Sequence, residues 1–218
     1  MISHIIFDMD GTLFSSEDMI VPTYERGIRS FNEKHPGLSQ AIPTQEELIS
    51  LLGFPINHIY QTLFPDLSPD KRKEIRALIL ARLIEAIRNR EGILYQGVEE
   101  TLNSLYDKSY QLYIASNGQS EYLEAILETY DLKKLFHPII TLNYRDICDK
   151  GDILLSYQKK HQFDRATVVM VGDRDSDWEA SRKLGSGFMA CDYGHGHPSE
   201  TDQADIILRA FPEILSHL

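Results

Sequence analysis

The feature that most constrains this chain is a short apolar run that ends in acids. Ile5-Ile6-Phe7 passes directly into Asp8-Met9-Asp10-Gly11-Thr12. Consecutive apolar residues bounded by a turn signal read as a buried strand. Two carboxylates spaced two apart, where that strand runs out into a glycine turn, make a poor packing element, because carboxylates are rarely buried without a cation. Such a pair either caps a loop or is presented for chemistry. The chemical reading is a nucleophilic carboxylate beside a second acid, with a divalent metal to hold them together.

Further strand-like runs occur at residues 112–115, 139–142, 168–171 and 187–190. Helical stripes lie between them: Val98, Leu102 and Leu105; Leu123, Ile126, Leu127 and Tyr130; Ile153, Leu154 and Tyr157. Strands alternating with amphipathic helices imply an α/β fold, a parallel sheet covered on both faces. Ligands of such sheets bind at the carboxyl ends of the strands, where the acid pair sits. Roughly 100 residues separate Asp10 from the next strand-like run, far more than the dozen or so a crossover needs. That interval reads as helical. Ile20, Tyr24, Ile28 and Phe31 form one stripe, Leu48, Leu51 and Leu52 a second, and Ile75, Ile79, Leu83 and Ile87 a third that begins at an N-cap, Ser68-Pro69. We therefore expect residues 1–14 and 92–218 to form the sheet core and residues 15–91 an inserted helical cap over the strand ends.

Composition narrows the partners. The 218-residue chain is 42% hydrophobic, enough for a full core, and carries a formal net charge of −11. An acidic surface argues against a nucleic-acid binder, whose partner demands a basic footprint. No stretch approaches the length of apolar residues that spans a bilayer, and Asp8 and Asp10 interrupt the first apolar run. Cys148 and Cys191 lack CxxC spacing and read as free thiols. The expectation is a cytoplasmic protein, monomer or homodimer, without membrane or nucleic-acid partners.

Three more points fall where strands end. Ser116-Asn117-Gly118 offers a hydroxyl, an amide and a glycine, suited to a phosphate oxygen but equally to an ordinary turn. Lys150 precedes a helical stripe and reads alone as a surface lysine. Gly172-Asp173-Arg174-Asp175-Ser176-Asp177 ends the cleanest apolar strand; its acids suit a hard cation, or simply the start of a helix. A calcium-loop reading fails, because Trp178 and Leu184 occupy the positions that need Gly and an acid. His195 and His197, in a Gly-Pro loop without a nearby Cys, read as a mobile surface loop. Arg174 reads as a surface or helix-turn residue.

Taken in order, these sites resemble the four motifs of the haloacid dehalogenase-like hydrolase superfamily: Asp8 to Thr12, Ser116, Lys150, and Gly172-Asp173 with Asp177. The resemblance covers essentially the whole chain, helical cap included. Gly53-Phe54-Pro55 and Tyr95-Gln96-Gly97-Val98 are similar to the phosphoglycolate phosphatase-like branch, although Gln96 and Gly151 stand where proline is more usual.

The resemblance implies a Rossmann-like core and a magnesium-dependent phosphatase that acts on a small phosphorylated metabolite. Asp8 would be the nucleophile and Asp10 the acid and base. Magnesium would be held by Asp8, the Asp10 carbonyl and Asp173. Ser116, Asn117 and Lys150 would bind the phosphoryl group, and Asp177 would orient Lys150 or a metal-bound water. Dehalogenating relatives lack an acid at position 10 and the ATPase branch has threonine there, so Asp10 points to a phosphatase or a phosphomutase. Ile20 stands where mutases of this branch carry histidine. A non-catalytic phosphometabolite-binding regulator is the other alternative. For the cap, Lys34, His35 and His58 are candidate contacts to the leaving group.

Overall fold

The computed structural model describes residues 1–142 and 147–218. From the N-terminus its elements run β1 (His4–Phe7), β2 (Phe14–Ser15), α1 (Glu17–Lys34), α2 (Gln45–Leu51), α3 (Ile56–Leu63), α4 (Pro69–Arg88), β3 (Ile93–Leu94), α5 (Val98–Asp107), β4 (Gln111–Ile114), α6 (Ser120–Thr129), α7 (Lys150–His161), β5 (Val168–Gly172), α8 (Asp175–Leu184), β6 (Gly187–Cys191) and β7 (Ile206–Leu208). Short 3-10 turns join several of them.

The main sheet is five-stranded and parallel throughout, in the order β4-β1-β5-β6-β7. Strand alternation sorts its side chains onto two covered faces. Ile5, Phe7, Leu112, Ile114, Val169 and Val171 pack with α5 and α6, whereas Ile6, Tyr113, Val168, Met170 and Phe188 pack with α7 and α8. Because β1 lies between β4 and β5, the chain's progress across the sheet reverses there. Such a reversal opens a crevice at the carboxyl ends of the strands. Phe7 stands in register with Ile114 on one side and Val171 on the other, so the tips of these three strands end side by side.

Residues 139–142, expected as a strand, carry no regular structure. Phe136 makes an isolated parallel bridge to Leu112, and the His137 N–H donates to Leu112 O. Pro138 then has no N–H with which to continue the ladder. The Ile140 N–H donates to the Tyr157 hydroxyl at 2.9 Å instead. β7 and the β2–β3 ribbon, all of two or three residues, are too short to stand out as strand-like runs in the sequence, whereas α3 falls in the interval that reads as helical.

The expected stripes of α1 and α4 face one another. Ile20, Tyr24, Ile28, Phe31, Ile75 and Ile79 are buried with Leu48, Ile59 and Tyr60 in a cluster of their own. α4 begins as expected, with Ser68 Oγ accepting the Lys71 N–H. The antiparallel pairs Phe14–Leu94 and Ser15–Ile93 bring the two ends of this helical segment together. The segment is not insulated from the sheet, since Met19, Ala86 and Ile87 pack in the α5–α6 cluster. Cys148 is exposed, Cys191 is buried, and both thiols are free. Among the described residues no helix is long and apolar enough to cross a membrane.

Candidate active site

Asp8 immediately follows β1. Its N–H donates to Val171 O at 2.9 Å, and the Ala115 N–H donates to Phe7 O at 2.9 Å, so the backbone beneath the carboxylate is held from both sides. Lys150, the first residue of α7, is only 2% exposed. Its Nζ lies 3.0 Å from Asp8 Oδ2 and 2.6 Å from Asp177 Oδ1. It is therefore not the surface lysine that its position alone suggests. Burial opposes the ammonium charge, but Asp177 and Asp8 outweigh it and hold Lys150 above its usual range. The other Asp177 oxygen accepts the Arg174 N–H at 3.0 Å, closing the first turn of α8.

Asp173 follows β5 and is equally buried. Its Oδ1 accepts the Thr12 hydroxyl at 3.4 Å and its Oδ2 the His195 N–H at 2.7 Å. Gly11, with φ of +79°, permits this approach; a Cβ there would stand 2.2 Å from Asp173 Oδ2. The 194–197 loop closes over the same residue, and a Cβ on Gly196 would lie 1.9 Å from Asp173 O. This corrects the surface-loop expectation. The His195 side chain is 2% exposed, with Nε2 3.1 Å from Glu17 Oε1. His197 is exposed, and neither histidine joins the carboxylate cluster.

Oxygens of Asp8, Asp173 and Asp177 lie within 4.8 Å of one another, all buried. Burial foremost pushes both Asp173 and Asp177 upward, and the proximity of Asp8 adds to it. Three carboxylates around one ammonium leave the space short of positive charge. An all-oxygen donor set of this kind fits a hard divalent cation such as magnesium. Asp177 is the least free to ligate, because Lys150 and the Arg174 N–H already occupy its oxygens.

Asp10 turns elsewhere. Its Oδ1 accepts the Tyr122 hydroxyl at 2.6 Å and the Ser16 hydroxyl at 3.2 Å. Burial raises its carboxyl to about 6, with a further push from Asp8, against the lowering effects of Tyr122, His195 and Ser16. Ser116, buried beyond β4, accepts the Gly118 N–H at 3.1 Å. The Asn117 amide donates to Gly53 O at 2.6 Å. Arg174 is not a surface residue. Its Nη1 donates to Leu52 O at 2.6 Å, its Nε to Glu200 at 3.1 Å, and its guanidinium lies 5.5 Å from the centre of the Phe54 ring. Asn117 and Arg174 thus join the sheet core to the loop after α2.

The family model for haloacid dehalogenase-like hydrolases matches residues 5–191. The chain belongs to this family. Among curated relatives, a phosphoglycolate phosphatase of Aliivibrio fischeri is 26% identical over 98% of this chain and 95% of its own length. A pyrophosphatase PpaX of Listeria innocua is 25% identical over 99% of this chain and 95% of its own. A crystal structure described as a predicted phosphoglycolate phosphatase from Haemophilus somnus superposes with a TM-score of 0.86, at 20% identity, over 99% of this chain and 97% of that one. Within the family the chain stands in the phosphoglycolate phosphatase-like branch, an enzyme of the phosphatase class.

Against this family pattern, four residues of the site escape a reading of the sequence: Ser16, Tyr122, Arg174 and His195. Tyr122 stands beside the apolar stripe of α6 rather than in it, and His195 between two glycines. These are faint signals that gain meaning only through contacts distant in sequence.

Proposed function

We propose that the protein is a magnesium-dependent phosphatase that hydrolyses a small phosphorylated metabolite through an aspartyl-phosphate on Asp8. The observation that carries this reading is the division between two acids two residues apart. Asp8 is ion-paired with Lys150 at 3.0 Å, while Asp10 is hydrogen-bonded to Tyr122 and raised to about 6. Neighbouring acids in opposed environments are the mark of divided acid-base labour.

In the first step an Asp8 oxygen attacks phosphorus in line, and the bond from phosphorus to the ester oxygen breaks. Asp10 gives its proton to the departing oxygen. Water then attacks the aspartyl-phosphate, Asp10 takes the water's proton, and the bond from phosphorus to Asp8 breaks to release phosphate. Lys150 and Ser116 stabilise the phosphoryl oxygens, and Asp177 orients Lys150. Asp8, the Asp10 carbonyl and Asp173 would hold magnesium, which supplies positive charge to offset repulsion between carboxylate and phosphate.

Residues 15–91 act in this reading as a cap that shuts water out during turnover. The contacts from Asn117 and Arg174 to residues 52 and 53 support that role. Ile20, buried and bordering the cavity at Asp10, supplies no proton carrier where a mutase needs one, which favours hydrolysis.

The test is hydrolysis of para-nitrophenyl phosphate with magnesium and with excess chelator, by wild type and Asp8→Asn. Turnover that requires magnesium and vanishes in Asp8→Asn is expected. Undiminished activity in chelator, or in a deamidation-checked Asp8→Asn, would overturn the proposal.

A further inference from the structure

Asp8, Asp10 and Ser116 form the floor of a cavity of about 70 Å³ roofed by the helical segment. The ester oxygen that leaves phosphorus departs toward this space, because Asp10, the acid that protonates it in this reading, borders the cavity. The roof is apolar: Ile20 from α1, Ile59 from α3, and Leu80 and Leu83 from α4. Tyr24 and Tyr60 bring hydroxyls from the helical segment, and Tyr122, Ser16, Asn117 and Gln119 add uncharged polar groups at the sides of the cavity; burial keeps the three tyrosines protonated. Among the described residues no lysine, arginine or histidine lines the cavity.

The cations nearby are committed elsewhere. Lys150 sits between Asp8 and Asp177, and Arg174 between Leu52 O and Glu200. The candidate cations of the helical segment do not line the cavity either. Lys34 and His35 both pair with Glu74, and His58 is exposed against Phe54.

We infer that the leaving group is a small uncharged alcohol, so that the substrate carries its negative charge at the phosphate alone. This rests on the phosphatase reading above and narrows it. A carboxylate or second phosphate in the cavity would be desolvated among aliphatic side chains, with no counter-charge from the roof. A neutral hydroxyalkyl group gains apolar contact with Leu80, Leu83 and Ile59, and a tyrosine hydroxyl can bond its free oxygen. The compactness of the space, about 70 Å³, favours a small leaving group over a bulky one. By this inference neither phosphoglycolate nor pyrophosphate, the substrates in the names of the two curated relatives, is the preferred one.

The experiment compares kcat/KM for size-matched substrates with magnesium: ethyl phosphate and 2-hydroxyethyl phosphate against phosphoglycolate and pyrophosphate, with para-nitrophenyl phosphate as the activity control. The neutral esters should exceed both anionic substrates by at least about 100-fold, the scale on which a hydrophobic pocket rejects one added polar group. A second arm places a cation in the roof. Leu80→Lys, at a partly exposed position, should shift the ratio at least tenfold toward phosphoglycolate, with folding checked by circular dichroism. Phosphoglycolate or pyrophosphate equal to or better than the neutral esters in wild type would overturn the inference and leave the phosphatase reading intact. Failure to hydrolyse any substrate, the control included, would overturn both.

Discussion

The hydroxyl of Tyr122, in the first turn of α6, donates to Asp10 Oδ1 at 2.6 Å and holds that carboxyl toward the cavity it shares with Asp8. Tyr122 and Ser16 are the side-chain donors to this oxygen, and the Ser16 bond is longer, at 3.2 Å. Tyr122→Phe keeps the ring and removes the better donor. Asp10 then loses a fixed orientation, and proton transfer to the leaving oxygen suffers more than binding does. We expect kcat for an alkyl phosphate to fall about tenfold, with KM within about twofold, since misplaced acid-base groups cost rate. For para-nitrophenyl phosphate, whose leaving group needs little protonation, the fall should be smaller. Equal losses on both substrates would remove Tyr122 from this positioning role.

Asp173 should govern both metal response and metal-free stability. In the metal-free protein its carboxyl is raised by burial and by Asp8, so its ionised form is unfavourable. Asp173→Asn removes that charge and can still accept the His195 N–H through its amide oxygen. The metal-free variant should therefore melt no lower than metal-free wild type. Magnesium at about 100 times its dissociation constant should add ~2.7 kcal/mol to wild type and almost nothing to the variant. Calorimetry or dye-monitored melting with and without magnesium reads both effects. A full magnesium shift in Asp173→Asn would take this residue out of the ligand set.

The contact between Arg174 and the loop after α2 leads to a third expectation. Arg174→Ala loses the bond to Leu52 O, the pair with Glu200 and the contact with Phe54. Global stability should fall by only about 1 kcal/mol, the net value of such bonds. Closure of the cap should be affected more. Amide exchange in residues 52–54 should quicken, and kcat and KM should change together, as is usual when a gating contact is lost. Unaltered exchange in that loop would show that Arg174 does not restrain it.

These expectations also mark which parts of the site are legible in the chain itself. Asp8 and Asp173 stand directly after apolar strand runs, so their place at the carboxyl ends of the strands follows from local pattern. The stripes of α1 and α4 are legible for the same reason, being repeats within one helix. Tyr122, His195 and Arg174 take their roles from partners 112, 22 and 122 residues away, and no local pattern announces such partners. The Gly194-His195-Gly196 stretch has the composition of a solvated loop, yet its glycines let backbone press against Asp173. Residues 139–142 have the apolar pattern of a strand, but Pro138 removes the ladder donor just before them. Lys150 looks like any surface lysine until Asp8 and Asp177 flank it.

The last expectation concerns pH and lies at the opposite end of the sheet from the acids. His137 stacks on Tyr113 with ring centres 4.5 Å apart, and His161 lies 4.6 Å from His137. His4 packs on Phe163 at 4.7 Å. Burial foremost lowers all three histidines below their usual 6.5; the charge of His161 also acts on His4 and His137, and that of Lys160 on His137 and His161. A histidine lowered in the folded state stays neutral there while the unfolded chain already binds a proton. Stability from this cluster is therefore complete above the usual value and declines as pH falls through it, until the folded histidines also protonate. His161 Nε2 is buried without a hydrogen-bond partner, so a neutral ring of similar shape should replace it at little cost. Urea unfolding of metal-free wild type and His161→Phe, at pH 7.5 and 5.5, isolates the contribution, because the active-site carboxylates are common to both proteins. Wild type should lose more stability on acidification than His161→Phe. An equal loss in the two proteins would mean that His161 does not titrate differently on folding.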